Sequence, residues 1–357
     1  MSLPTSLSEF IGHFKKNRKN LLFSLVTIIV FSGLFVGLIE VYSLIKLDDE
    51  WVCEICIFDS EMGWKHKPNA SVHSVDRTYS TNSLGFRGEE PSLNKKHILI
   101  LGDSVGFGVG VSDDQSLDAH FNSQLSDFQA LNLSVSGYGI GQYYLQLKNH
   151  INLIKPRHVW IIIYTGNDID DTRKDTMFGV SKPLLVVEDG FLKNINPSIQ
   201  RFSCANWTKM SKFLINFIPP KAWSRLCKSK VLTRKDAAKQ IERIFKEIAN
   251  LSLSKGADFL FVLSPSYDSI LLGACRSGRT SENCDSVDPG FLEFYNYFKI
   301  ILEQNSLNYL DFQNLILHEW QNIELKKLYN DPHHYSSSGN KLLADSLIKY
   351  LATLNEK

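Results

Sequence analysis

Five short apolar runs, each of strand length, alternate through most of the chain with segments of helical periodicity. The runs are 97–101 (HILIL), 130–135 (ALNLSV), 158–164 (HVWIIIY), 258–264 (DFLFVLS) and 308–312 (NYLDF). Helical patterns fall at 116–125, 142–153, 235–254 and 291–304, and the closing segment SSSGNKLLADSLIKYLATL is another. A run that is apolar at consecutive positions, without polar alternation, reads as a strand covered on both faces. Strands separated by helices must pair in parallel, because a parallel pair needs a long crossover connection. The expected fold class is therefore α/β, a doubly wound domain around a five-stranded parallel sheet. With 357 residues, 43% of them hydrophobic, the core is easily filled. No internal repeat or low-complexity tract interrupts it.

In such a sheet, ligands bind in the crevice outside the carboxyl ends of the strands, so what each strand ends in decides the chemistry. The first ends in Gly102-Asp103-Ser104, within ILILGDSVGFG; the second in Ser134-Val135-Ser136-Gly137; the third in Gly166-Asn167-Asp168. Asp331-Pro332-His333-His334 follows the fifth. A serine hydroxyl is a weak nucleophile and needs a neighbouring base. His334 supplies it, with Asp331 three residues earlier placed to hold the Nδ1 proton and leave Nε2 toward Ser104. His333 is the competing base, but only His334 keeps the three-residue offset from the acid. The catalytic set read from sequence is Ser104, His334 and Asp331. Its oxyanion hole is built from the amides of Ser104 and Gly137 and the side chain of Asn167.

At these four blocks the chain resembles the SGNH hydrolase superfamily, the GDSL esterases, whose four named residues would be Ser104, Gly137, Asn167 and His334. The resemblance covers roughly residues 95–172 and 256–354. It implies a flavodoxin-like three-layer α/β/α sandwich and carboxylester hydrolysis or acyl transfer. The stretches MGWKHKPN and TNSLGFRGEE look like those of membrane-anchored members taken to act on acylated cell-envelope polysaccharides. The expected function is a serine esterase that hydrolyses or transfers O-acetyl or another short acyl group of a cell-envelope glycan through an acyl-Ser104 intermediate. A lipid-directed lipase or thioesterase is one alternative. A non-catalytic membrane-tethered binding or assembly module is another. GDSVG also satisfies the G-x-S-x-G nucleophile elbow of α/β-hydrolases, but that fold places acid and histidine on separate loops.

Residues 21–39, LLFSLVTIIVFSGLFVGLI, carry no charge and approach the ~20 residues that span a bilayer. A cleaved signal peptide has a shorter apolar stretch and a small-residue cleavage site, which is not found here. Lys15, Lys16, Arg18 and Lys19 precede the segment, and Asp48, Asp49, Glu50 and Glu54 follow it. That asymmetry predicts a cytoplasmic tail (1–20), a transmembrane anchor (21–44) and an extracytoplasmic remainder. The remainder divides into a lead-in (45–94) and a hydrolase-like domain (95–357) with an insertion at 172–234. The insertion contains the hairpin-like LLVVEDGFLK, Trp207 and Trp223.

Net charge is +1, and the basic tail accounts for it, which argues against nucleic acid as a partner. The expected partners are an acylated glycan or lipid and the membrane itself. Six cysteines outside the cytosol can pair, with Cys204/Cys227 and Cys275/Cys284 as local loops. Cys53 and Cys56 read as a short disulfide or two thiols, not a redox motif. No cofactor or metal is expected. Gly106, Gly108 and Gly110 do not fit G-x-G-x-x-G, and Asp168, Asp170 and Asp171 read as helix-capping and loop acids.

Overall fold

A computed structural model describes residues 20, 22–38, 53–73, 77–178, 180–197, 199, 229–280, 285, 287–319 and 324–355. The chain forms two compact units, Met1–Glu54 and Ile55–Lys357. In the first, residues 22–38 are helical and expose Phe23, Ile29, Phe31 and Phe35, each at 65% or more. Among the described residues, no helix is long and apolar enough to cross a membrane. The anchor expected at 21–44 runs past them at both ends.

In the second unit the expected sheet is present. Its strands are β1 (Lys96–Leu101), β2 (Phe128–Asn132), β3 (His158–Tyr164), β4 (Asp258–Ser264) and β5 (Tyr309–Asp311). All pairings are parallel and the spatial order is β5-β4-β3-β1-β2. Chain direction across the sheet reverses between β1 and β3, so their carboxyl ends flank the crevice where open α/β sheets bind ligands.

The uninterrupted apolar runs are explained by burial on both faces. Every residue of β3 is buried, and Ile98, Leu99, Ile100, Leu101, Ile161, Ile162 and Ile163 are at most 1% exposed. One face, through Ile98, Ile100, Trp160, Ile162, Leu260 and Val262, packs on Phe121, Phe312, Leu343 and Leu347 of the helices Leu117–Asn122, Phe312–His318 and Ser337–Asn355. On the other, Phe261 meets Phe245 of the helix Arg234–Ser254 at 4.6 Å between ring centroids. Helices on both faces complete an α/β/α sandwich.

Two antiparallel hairpins precede the sheet, Cys56–Asp59 with Gly63–His66 and Ser71–His73 with Thr78–Ser80. They belong to the same compact unit as the sheet, so the lead-in from Ile55 onward is part of that body. The described part of the insertion also forms hairpins. Leu185–Glu188 pairs with Phe191–Asn194 across Asp189-Gly190, both with positive φ, which is the twist-matched turn that an Asp-Gly pair favours. Trp207, Trp223, Cys204, Cys227 and Cys284 lie outside the described residues. Cys53, Cys56 and Cys275 are disulfide-bonded.

Burial of the lead-in has a measurable cost at low pH. His66 is 4% exposed, its ring centroid 4.8 Å from that of Phe107, and burial pulls its pKa down to about 4. Below pH 6.5 the unfolded chain takes up a proton that the folded chain refuses, so stability falls as pH drops through that window. Relative to a His66→Phe variant, the wild-type chain should lose on the order of 3 kcal/mol between pH 6.5 and pH 4. Urea unfolding of both chains at a series of pH values measures it, and parallel curves would refute the assignment.

Candidate active site

The nucleophile turn forms because β1 runs straight into a capped helix. Asp103 is fully buried and is the N-cap of Ser104–Phe107. Its Oδ1 accepts from Val105 N at 2.8 Å, and its backbone carbonyl accepts from Phe107 N at 2.9 Å. Gly108, at φ 83°, closes the turn. Ser104 is thereby held at the first helical position, partly exposed, just beyond a strand whose last four residues are buried. The other Asp103 oxygen, Oδ2, accepts from Asn167 Nδ2 at 3.2 Å. Burial raises the Asp103 pKa, and the hydrogen bonds from Val105 and Asn167 oppose that rise.

Asp331 and His334 are positioned as one piece. Asp331 Oδ1 accepts from the amides of His333 (2.8 Å) and His334 (2.9 Å), which curls the loop and leaves Oδ2 for His334 Nδ1 at 2.9 Å. This local ring is the physical reason that an acid three residues before a histidine works as a unit. Burial raises the Asp331 pKa, but the hydrogen bonds from His334 and the two amides more than offset it, leaving the carboxyl below its ordinary value. Tyr329 and Tyr335 pair across the base of the loop, and both anchor it to the end of β4. The Tyr329 hydroxyl donates to Pro265 O at 2.8 Å, and the Tyr335 hydroxyl lies 2.8 Å from Ser264 Oγ.

The two pieces meet at His334 Nε2 to Ser104 Oγ, 3.0 Å apart, and beside it Asn330 Nδ2 donates to Gly110 O at 3.1 Å. A hydrogen-bonded chain Asp331–His334–Ser104 therefore crosses from the last loop to the first strand. His333, the competing base, makes no such contact; its Nδ1 lies 3.1 Å from the Tyr164 hydroxyl.

Gly137, expected to supply an oxyanion donor, follows the end of β2. Val135 N donates to Gly102 O at 3.0 Å, drawing the end of β2 against the nucleophile turn. Neither the Ser104 nor the Gly137 N–H has an acceptor among the described residues. Gly137 has φ 77°, and a Cβ there would collide with the ring of Phe178. Phe178 itself is 55% exposed and holds φ 50°, uncommon for an aromatic residue.

The acids after β3 are each engaged by protein groups. Asp168 takes the Tyr143 hydroxyl at 2.7 Å and Tyr164 N at 2.9 Å; burial pushes its pKa well up. Asp170 pairs with Arg173 (2.9 Å) and Arg234 (3.3 Å), and Asp171 faces Lys174 at 4.0 Å.

Three site-building residues escaped the sequence reading. Arg87 is 2% exposed and threads beneath the nucleophile turn. Its Nη1 donates to Phe107 O (2.6 Å) and Gly108 O (2.7 Å), its Nη2 to Val111 O (2.8 Å), and its Nε to Asp113 (3.1 Å). Trp64 donates from Nε1 to Ser136 O at 2.9 Å, fixing the peptide before Gly137. Phe178 leans on Trp64 edge to face at 6.4 Å. A lone Arg and Trp in a polar lead-in give no periodic signal; only the rarity of buried arginine marks Arg87, and burial is not visible in sequence.

No protein-family profile matches the chain, and no curated protein matches it. Solved structures do, at low identity. A member of the lipolytic protein G-D-S-L family from Veillonella parvula is 12% identical, with TM-score 0.42 over 71% of this chain and 97% of that one. An acetylxylan esterase from Geobacillus stearothermophilus is 13% identical, with TM-score 0.41 over 71% and 93%. A lipase/acylhydrolase from Enterococcus faecalis is 13% identical, with TM-score 0.38 over 72% and 95%.

The geometry at Gly137 predicts the outcome of enlarging it. Gly137→Ala requires both a left-handed alanine and displacement of the Phe178 ring, so the donor N–H should turn away. Turnover of a short aryl ester should fall ~10²-fold, the scale of losing one oxyanion donor. Steady-state kinetics checks it, and activity within a factor of three of wild type would contradict the role given to this amide.

Proposed function

We propose that the chain is a carboxylic ester hydrolase, or an O-acyltransferase built on the same acyl-enzyme, acting on a short acyl group of a cell-envelope glycan. The observation that carries this reading is the hydrogen-bonded chain Asp331–His334–Ser104 at the carboxyl end of the sheet. In the first half-reaction, His334 Nε2 takes the Ser104 proton as Oγ attacks the ester carbonyl carbon. The carbonyl oxygen, now an anion, is met by the N–H groups of Ser104 and Gly137 and by Asn167 Nδ2. Collapse breaks the bond to the alcohol oxygen, which leaves with the proton held on His334. In the second half-reaction water, or a sugar hydroxyl, gives its proton to His334 and attacks the acyl-Ser104 carbonyl. Collapse then breaks the bond to Ser104 Oγ, which recovers the proton from His334 as the free acid or the new ester departs. Asp331 stays ionised throughout and stabilises the imidazolium.

The position of Phe178 against Gly137 supports a small acyl group, because the ring narrows the space beside the oxyanion donors. Apolar residues 21–39, flanked by basic residues on one side and acidic on the other, support a single-pass anchor with the catalytic unit outside the membrane.

Ser104→Ala and His334→Ala should each lower kcat/KM for 4-nitrophenyl acetate by ~10³-fold or more, and Asp331→Asn by ~10²-fold, with thermal unfolding nearly unchanged. A fluorophosphonate probe should label wild-type Ser104 and leave Ser104→Ala unlabelled. Full activity in Ser104→Ala would end this reading.

For the topology, a reporter that is active only outside the cytosol, fused after Lys357, should be active in cells. Activity of a cytosolic reporter at the same position would instead reverse the orientation.

A further inference from the structure

His333 is not consumed by the chemistry above, yet its ring is oriented by a buried phenol. Tyr164, the last residue of β3, is 2% exposed, and its hydroxyl finds no partner among the described residues except His333 Nδ1 at 3.1 Å. Burial pushes the phenol well above its ordinary pKa, so the group keeps its proton and remains a donor. A buried hydroxyl proton left without an acceptor costs stability, so that proton goes to Nδ1. The neutral imidazole of His333 must then carry its own proton on Nε2.

The Tyr164 ring can lie there because the next turn contains Gly166. A Cβ at Gly166 would sit 2.8 Å from the phenol oxygen and 2.7 Å from the ring carbons. The segment Tyr164-Thr165-Gly166-Asn167 thus serves two ends, a side-chain amide that donates to Asp103 beside Ser104 and a fixed phenol toward His333.

The placement of His333 relative to the base decides what its Nε2–H can reach. The His333 and His334 rings lie 6.4 Å apart, nearly edge to face at 78°. His333 is exposed, whereas His334 is half-buried against Ser104. When the ester is cleaved, the departing alcohol oxygen must be within hydrogen-bond reach of His334 Nε2 to collect its proton. With the two rings 6.4 Å apart, a substituent on the carbon next to that oxygen is within reach of the His333 ring when the alcohol lies on that side.

Resting on the esterase reading, we propose that His333, oriented by Tyr164, is a specificity-determining residue that donates from Nε2 to a hydroxyl neighbouring the ester oxygen of a polyol or sugar substrate. The substrate class it selects is the partially acylated polyhydroxy alcohol, in preference to esters of simple alcohols.

Two esters of matched size test it: trans-2-hydroxycyclohexyl acetate, which carries the neighbouring hydroxyl, and cyclohexyl acetate, which does not. The full-length wild-type chain should prefer the hydroxy ester in kcat/KM. His333→Phe, which keeps a planar ring but has no donor, should lower that preference about tenfold, the value of one hydrogen bond of ~1.4 kcal/mol. Tyr164→Phe, which frees the His333 tautomer, should lower it by ~threefold. Equal losses on both esters, or an unchanged ratio in His333→Phe, would overturn the proposal, since a merely structural role moves both substrates together. A fluorophosphonate adduct at Ser104 without any preference for the hydroxy ester would overturn the proposal alone. No adduct and no turnover of either ester would overturn the esterase reading and this one with it.

Discussion

A single buried carboxylate, Asp103, fixes most of the geometry at the strand ends. One oxygen caps the turn that presents Ser104, and the other receives the side-chain amide of Asn167 from the neighbouring strand. A carboxylate excluded from water is unfavourable unless hydrogen bonds satisfy it, so the surrounding chain must bring those donors to it. The β1–β3 pairing does so by register: Leu101 stands beside Ile161, which puts the two following turns side by side. The turn of Ser104 and the side chain of Asn167 are therefore joined through Asp103 without any ligand, and the proposed reaction would not have to reorganise them.

The walls of the site come from outside the sheet. Arg87 satisfies the carbonyls of Phe107, Gly108 and Val111 at once, where a turn of this tightness leaves acceptors pointing inward. Its guanidinium also lies 4.7 Å from the Phe107 ring centroid. Trp64 performs the parallel task on the other side, holding the Ser136 carbonyl while its own carbonyl receives the Tyr138 hydroxyl. The segment before β1, through Arg87 and the hairpin residue Trp64, thus braces both the turn of Ser104 and the loop of Gly137. Removal of either side chain would leave buried polar groups unpaired, which is costlier than the bond itself.

The sheet was legible in the sequence because burial on both faces writes an unmistakable pattern: HVWIIIY admits no solvent-facing position. Strand order was not, since nothing in five similar runs says which pair; it becomes visible only through backbone pairing. The clustering of Ser104, Asn167, Asp331 and His334 was legible because the chemistry expected of them requires particular residue types at strand ends or at a fixed offset. Choosing His334 over His333 by the offset from Asp331 agrees with the contact to Ser104. Arg87, Trp64 and Phe178 were illegible for the opposite reason. Their work is done across long sequence separations, by one side chain each, and leaves no periodicity. The helices Tyr267–Arg276 and Leu325–Leu328 were likewise missed, the second being only one turn long.

The loop that carries Asp331 and His334 is closed on itself by the Tyr329–Tyr335 bridge and hangs from β4 by two phenols. Acid and base consequently travel together. If the loop shifts, the Asp331–His334 bond is carried along intact, while its links to the other strand ends change together: His334 Nε2 to Ser104 Oγ, His333 Nδ1 to the Tyr164 hydroxyl and Asn330 Nδ2 to Gly110 O. On the proposed mechanism, how the end of β4 sits relative to the end of β1 then sets how closely His334 approaches Ser104. Any perturbation of that spacing, whether by packing on the outer helices or by a bulky leaving group wedged between the loops, would act as a throttle on the nucleophile without disturbing the charge arrangement behind it.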